Sequence, residues 1–162
     1  MCQLKEGIIF PTNFYIADIF NEYQNQKYKN FLTELSNRTE GERRSNRNGW
    51  QSDTFLWKEN IFKPLLDETL NASQIIAKNL SNKELPQMVV RAMWGNINPK
   101  GGFNFTHVHP SGWLSGVYYI QLPEGNNEIV FQDPRSARMM DFQRSSLIKD
   151  EYFSHYPKVG EL

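Results

Sequence analysis

The sequence predicts an α+β fold: helices in the first half, then a run of antiparallel strands closing into a β-sandwich or barrel with the helices packed on one side. Three observations lead there. Tyr28, Phe31, Leu32 and Leu35 recur at i, i+3, i+4 and i+7, the mark of a helix with one buried stripe. From Leu85 onward the apolar period changes to two, with Met88, Val90, Ala92 and Trp94 alternating against Val89, Arg91 and Met93, as a half-buried strand requires. Aromatic residues make up 14% of the chain, which suits a β-rich core or a stacking pocket. A chain of 162 residues fits a single domain, 1–162, large enough to bury roughly 70% of its unfolded surface.

The elements follow in order. "GIIFPTNFYIAD" reads as two short strands broken by Pro11, because proline cannot donate to a ladder. "NEYQNQKYKNFLTELSN" is the amphipathic helix. "RTEGERRSNRNGWQS", with Arg38, Arg43, Arg44 and Arg47, reads as a solvated loop, a binding lid being the alternative. A second helix is expected from Asp53 or Thr54 towards Leu80. Pro64 either kinks it or opens a new helix, where its missing N–H is harmless. After the strand ending at Trp94, "GNINPKGG" is a turn-rich loop. "FNFTHVH", "WLSGVYYIQL" and "EIVFQD" are strand-like runs separated by "PSG" and "PEGNN".

Composition narrows the function classes. Eighteen basic residues balance eighteen acidic ones, so no overall field draws the chain to nucleic acid or anionic membranes. A local basic patch from the four arginines is still compatible with that balance. No apolar run reaches the roughly 20 residues that span a bilayer, and the polar N-terminus is unlike a secretory signal. The expectation is a soluble cytoplasmic protein. Cys2 is the only cysteine, so no internal disulfide can form and its thiol is read as incidental. Without a secretion signal, the Asn-X-Ser/Thr triplets at Asn37, Asn71 and Asn104 carry no meaning.

Two of the chain's three histidines, His107 and His109, stand two residues apart in "GGFNFTHVHPSGWLSGVYYIQLPEG". On a strand, i and i+2 share a face, so both imidazoles would project together. Neutral imidazole is the commonest protein ligand for zinc, iron, copper and nickel, and the pair would make half a metal site. A pair of half-exposed strand histidines bonded to water or backbone is the bland alternative.

At this point the chain resembles the 2-oxoglutarate/Fe(II)-dependent oxygenases, and most closely a branch common in marine bacteria and phages. The resemblance rests on "IIFPT", on "SNRNGWQS" at 45–52, and on "MWGNINPKGGFNFTHVHPSGWLSGVYYIQLPEGNNEIVFQDPR" at 93–135. It implies a double-stranded β-helix (jelly roll) with N-terminal helices on one side, Fe(II) as the metal and 2-oxoglutarate as cosubstrate. The reaction implied is oxidative decarboxylation of 2-oxoglutarate to succinate, coupled to hydroxylation of a C–H bond. The superfamily's ligands are a His-x-Asp/Glu pair and a distal histidine. His107 matches the first, and His109 stands where the carboxylate usually is. Asp133, in "FQDPR", is an alternative source of that carboxylate, although Asp-Pro-Arg also reads as a plain turn. Tyr119 matches the tyrosine that reaches the distal carboxylate of 2-oxoglutarate; a core aromatic is the competing reading. Asn96, Asn98 and Asn104 are placed near the mouth, as cosubstrate contacts or as turn formers. No further catalytic side chain is assigned.

Superfamily members continue to the distal histidine and a basic residue beyond it, whereas this sequence reaches "YPKVGEL" and stops. His155 aligns with the strand before that turn and is not read as the distal ligand. The expectation is therefore a chain lacking its last strands, weak in Fe(II) binding and negligible in turnover. Its uncovered edge would be closed by homodimerisation through Met139–Leu162, or by "RSARMMDFQRSSL" folding over the gap. The rival classes are a non-catalytic jelly-roll or cupin-like module that binds a metal, ligand or partner, and a cupin-like metal enzyme independent of 2-oxoglutarate.

Overall fold

The computed structural model of the chain describes residue 5 and residues 11–81, 86–125, 127–134 and 152–162. Helix α1 spans Glu22–Arg38. It begins where Asn21 Oδ1 accepts from Gln24 N at 3.0 Å, which satisfies one of the donors that a helix start leaves unpaired. Its stripe is the one the sequence shows: Tyr28 and Leu32 are buried, with Phe31 and Leu35 packed beside them.

Helix α2 spans Lys63–Leu80, with Pro64 in its first turn. Of the two roles open to Pro64, the chain uses it to open a new helix. The expected start at residue 53 or 54 is corrected, and the reason is local. Leu56 N donates to Met93 O at 3.1 Å and Met93 N to Thr54 O at 3.1 Å, which diverts backbone groups that a helix would need. The segment instead makes two single 3₁₀ turns, Leu56–Lys58 and Asn60–Phe62. Phe62 is stacked on Tyr28 at 5.0 Å and meets Phe31 edge-on at 5.5 Å. With Leu56 and Leu65 these residues form the core between the helices, each contributing about 1.5–3 kcal/mol by burial.

The β structure is a set of short pairs. β1 (Asn46–Arg47) pairs antiparallel with β4 (Phe103–Asn104), and β2 (Trp50–Gln51) with β3 (Asn96–Ile97). β5 (Ile129–Gln132) pairs with β6 (Tyr152–His155) in the register Ile129↔His155. Mixed α+β architecture is therefore observed, while the described residues hold three two-stranded sheets and no closed barrel or jelly roll. A jelly roll needs most strands bonded on both sides; here each strand has one neighbour. Four further strand expectations change. Residues 88–94 carry only an isolated bridge from Met93 to Phe55. "FNFTHVH" is strand only at its first two residues, and residues 113–118 have no ladder partner among the described residues. Of "GIIFPTNFYIAD", residues 7–10 lie outside the described residues, and the rest contributes a bridge at Asp18.

"SNRNGWQS" is not the irregular solvated loop expected of a polar stretch. It forms β1, a turn through Asn48 at φ 54° and β2. Polar side chains build it from inside. Buried Asn46 accepts from Arg44 N at 2.8 Å and donates to Glu42 O at 3.1 Å and Gly49 O at 3.0 Å. Buried Ser52 accepts from Gly95 N at 3.0 Å and donates to Asp53 O at 2.7 Å. Polarity here marks internal hydrogen bonding rather than solvent.

The C-terminal residues are drawn into the body. Ala17 and Leu162 exchange backbone hydrogen bonds at 2.9 Å, and Ile19 N donates to Gly160 O at 3.0 Å. On the other side Tyr119 N donates to Glu161 O at 3.0 Å and Gly160 N to Tyr119 O at 2.8 Å. Residues 160–162 thus lie between residues 17–19 and Tyr119. Gly160 adopts φ 91°, and a Cβ there would collide with Phe20 Cβ, so the close approach needs glycine. The segment 135–147, for which the sequence suggested a fold-over, lies outside the described residues.

Candidate metal centre

β4 stops at Asn104, but its alignment against β1 continues one residue further, where Phe105 N donates to Ser45 O at 2.9 Å. The asparagines lock this corner: Asn98 Nδ2 donates to Asn104 Oδ1 at 3.0 Å and Asn104 Nδ2 to Ser45 Oγ at 3.1 Å. Asn98 and Asn104 thus bond to each other and to Ser45 as connectors of the loop, and Asn96 sits in β3 paired with Gln51.

Beyond this corner the two histidines come together. Their ring centroids are 4.7 Å apart and nearly perpendicular, at 85°. They do so from irregular backbone past the strand end, and both are exposed. His107 Nδ1 lies 2.6 Å from Phe105 O. A carbonyl can only accept, so Nδ1 carries the proton and Nε2 is left with the lone pair a metal requires. A backbone carbonyl behind a ring nitrogen is a usual way of orienting a ligand.

His109 is held by its turn. Gly112 N donates to His109 O at 3.3 Å, Ser111 takes φ 68°, and Arg91 Nη1 donates to Ser111 O at 3.2 Å. The Pro-Ser-Gly turn predicted from the sequence is thus present. Trp94 lies against the imidazole at 5.3 Å between centroids. Burial lowers the His109 pKa, and the neighbouring His107 lowers it further, which favours the neutral, metal-binding form at neutral pH. Sequence reading missed the supporting roles of Trp94 and Arg91. Both lie in the alternating 88–94 stretch, and only the fold brings that stretch against the turn.

Tyr119 is positioned by the C-terminal segment. No ring contact or hydrogen bond joins it to His107 or His109 among the described residues. Burial raises the phenol pKa, and the charge of Glu161 adds to the rise. Asp133 is half-buried just past β5. Among the described residues no group of three or more His, Cys, Asp or Glu side chains is arranged to hold a metal ion. The histidine pair is therefore two donors, without a third in that set. His155 bonds instead to Glu161, 2.9 Å from Nε2 to Oε2. Two cavities, at the end of α1 near Trp50 and Phe55, are lined by other residues. No helix among the described residues is long and apolar enough to cross a membrane.

Comparison with known proteins adds one finding. Residues 92–162 match the family model described as "Putative 2OG-Fe(II) oxygenase". No curated protein and no solved structure matches the chain. The matched range holds Trp94, both histidines, Tyr119 and the C-terminal segment. It supports the 2-oxoglutarate/Fe(II) oxygenase superfamily for that part of the chain.

Proposed function

We propose that the protein is a 2-oxoglutarate/Fe(II)-dependent dioxygenase of the hydroxylase type, with His107 and His109 as metal ligands and Tyr119 as the cosubstrate contact. The observation that carries the reading is the paired imidazoles, 4.7 Å apart, inside the range that matches an oxygenase family. The donor chemistry fits a borderline metal such as Fe(II). His107 offers Nε2 because Phe105 O engages its other nitrogen. Burial and the neighbouring His107 lower the His109 pKa, and Trp94 and the 109–112 turn hold the residue in place. When bound, Fe(II) supplies the dioxygen chemistry, with 2-oxoglutarate as the source of two electrons. The chain's own contribution is orientation. The turn and the Phe105 carbonyl set the ring directions, and a phenol at Tyr119 can donate to a carboxylate in half-buried surroundings. The jelly roll of the wider superfamily, with helices on one side, is part of this reading.

A second reading is a metal- or ligand-binding module without turnover. It is favoured by the absence of a third ligand among the described residues. One experiment separates the two. The full chain, supplied anaerobically with Fe(II) and then with 2-oxoglutarate and oxygen, is assayed for succinate. Succinate that disappears in His107→Ala supports the dioxygenase. Metal binding lost in His107→Ala, with no succinate from the unaltered chain, supports the binding module. A chain that binds no metal overturns the dioxygenase and leaves of the second reading only a module for a metal-free ligand.

A further inference from the structure

Two basic side chains reach the histidine corner: Arg91 at the 109–112 turn, and Arg47 on the Phe105 side. Arg47 lies in β1 opposite Phe103, and its guanidinium carbon sits 4.4 Å above the centre of the Phe105 ring. Phe105 in turn meets Phe103 edge-on at 5.1 Å and supplies the carbonyl that orients His107. Nη1 of Arg47 donates to Asn46 O at 2.7 Å and to Arg44 O at 3.2 Å. These three contacts fix the fork and engage one of its nitrogens. Nε and Nη2 have no acceptor among the described residues, and no carboxylate pairs with the charge there. Its neighbour differs: Arg44 is neutralised by Glu42, with Nε at 2.9 Å and Nη2 at 2.8 Å from Oε2. One arginine of the loop is thus spent on an internal ion pair, while the charge of the other meets no carboxylate among the described residues.

The geometry points to Arg47 as an anion-recognition residue: its Nε/Nη2 edge takes a carboxylate or phosphate group of the substrate beside the histidine pair. Guanidinium matches both groups in a two-pronged arrangement. A side chain already held by a ring and two carbonyls loses little further freedom on binding. Phe103 and Phe105, each 48% exposed, give the rest of the ligand an apolar surface. That the anion belongs to a hydroxylated substrate rests on the dioxygenase reading; the binding itself does not.

The test uses the full chain without metal, followed by ¹⁵N NMR while inorganic phosphate or acetate replaces chloride at constant ionic strength. The Arg47 Nε–H and Phe105 amide signals should move and saturate at millimolar anion, the affinity one charge-assisted fork supplies. Arg44 Nε–H should stay in place. Saturation by phosphate alone identifies a phosphate-bearing ligand, by acetate alone a carboxylate, and by both the shared chemistry. In Arg47→Gln the Phe105 response should vanish while α1 and α2 signals keep their positions. In Arg47→Lys, which keeps the charge but not the fork, binding should weaken about tenfold. A loss of metal binding in His107→Ala bears on the dioxygenase reading alone. Arg47 signals unmoved by either anion, movement without saturation, an equal response at Arg44, or undiminished binding in Arg47→Lys overturns the proposal.

Discussion

His155 Nε2 lies 2.9 Å from Glu161 Oε2, and the two side chains are only 20% and 13% exposed. This hydrogen bond ties β6 to the segment between residues 17–19 and Tyr119. It holds the Glu161 carboxyl below its usual pKa, with the imidazole contact as the largest cause. A depressed carboxylate pKa contributes stability that is complete above the unfolded pKa and is lost as pH falls through the folded one. Urea unfolding should therefore show this contribution at neutral pH and its loss on acidification through the carboxylate range. His155→Ala should cost about 1–3 kcal/mol at neutral pH, the penalty for a part-buried acceptor left unmet. The same variant should lose the acid-dependent part.

Metal affinity should rest on both imidazoles. His107→Ala and His109→Ala should each weaken Fe(II) or Co(II) binding by at least about 100-fold, since even outer partners of a ligand are worth 10–100-fold. Trp94→Ala, which removes the ring against His109, should cost about tenfold by freeing that imidazole. Calorimetric titration under anaerobic conditions gives all three values.

Tyr119→Phe discriminates a cosubstrate contact from a packing role. Removing a hydroxyl that bonds a carboxylate costs about 1.5–3 kcal/mol. The apparent KM for 2-oxoglutarate should thus rise tenfold or more with kcat little changed. An unchanged KM with a lowered unfolding midpoint would assign the phenol to the C-terminal packing alone.

The 45–52 turn should depend on an amide that sequence reading takes for surface. Asn46→Ala removes one acceptor and two donor contacts from a buried position, and should cost about 2–3 kcal/mol. Gly160→Ala should destabilise by more than about 1 kcal/mol, because φ 91° and the approach of Phe20 both oppose a Cβ. Denaturant midpoints at equal slope measure each.

Self-association is expected through the β5–β6 pair. Val130, Phe131, Tyr152 and Phe153 keep exposed apolar surface on it although Phe14 packs against Phe131 and Phe153, and exposed apolar ribbon invites pairing. Light scattering at tens of micromolar should report a mass above that of one chain, reduced in Phe153→Glu. A single-chain mass for the unaltered protein would exclude the dimer.

The sequence by itself determined the elements whose pattern is local. The stripe of α1 follows from 3.6-residue spacing. The Pro110-Ser111-Gly112 turn follows from residues that favour turn conformations, and β5 from a short β-branched and aromatic run. His107 and His109 are close as expected, but from irregular backbone and not from the strand geometry behind that expectation, since the ladder ends at Asn104. The tertiary structure decided everything that depends on a distant partner. Residues 54–56 gave up helix for Met93, which lies far along the chain. "SNRNGWQS" became two strands because Asn46 and Ser52 found backbone groups inside the fold, a use of polarity that composition does not distinguish from solvation. Trp94 reached His109, Arg47 reached Phe105, and Glu161 reached His155 for the same reason. A side chain's type states which bonds it can make, and only the packed chain states which partner is within reach.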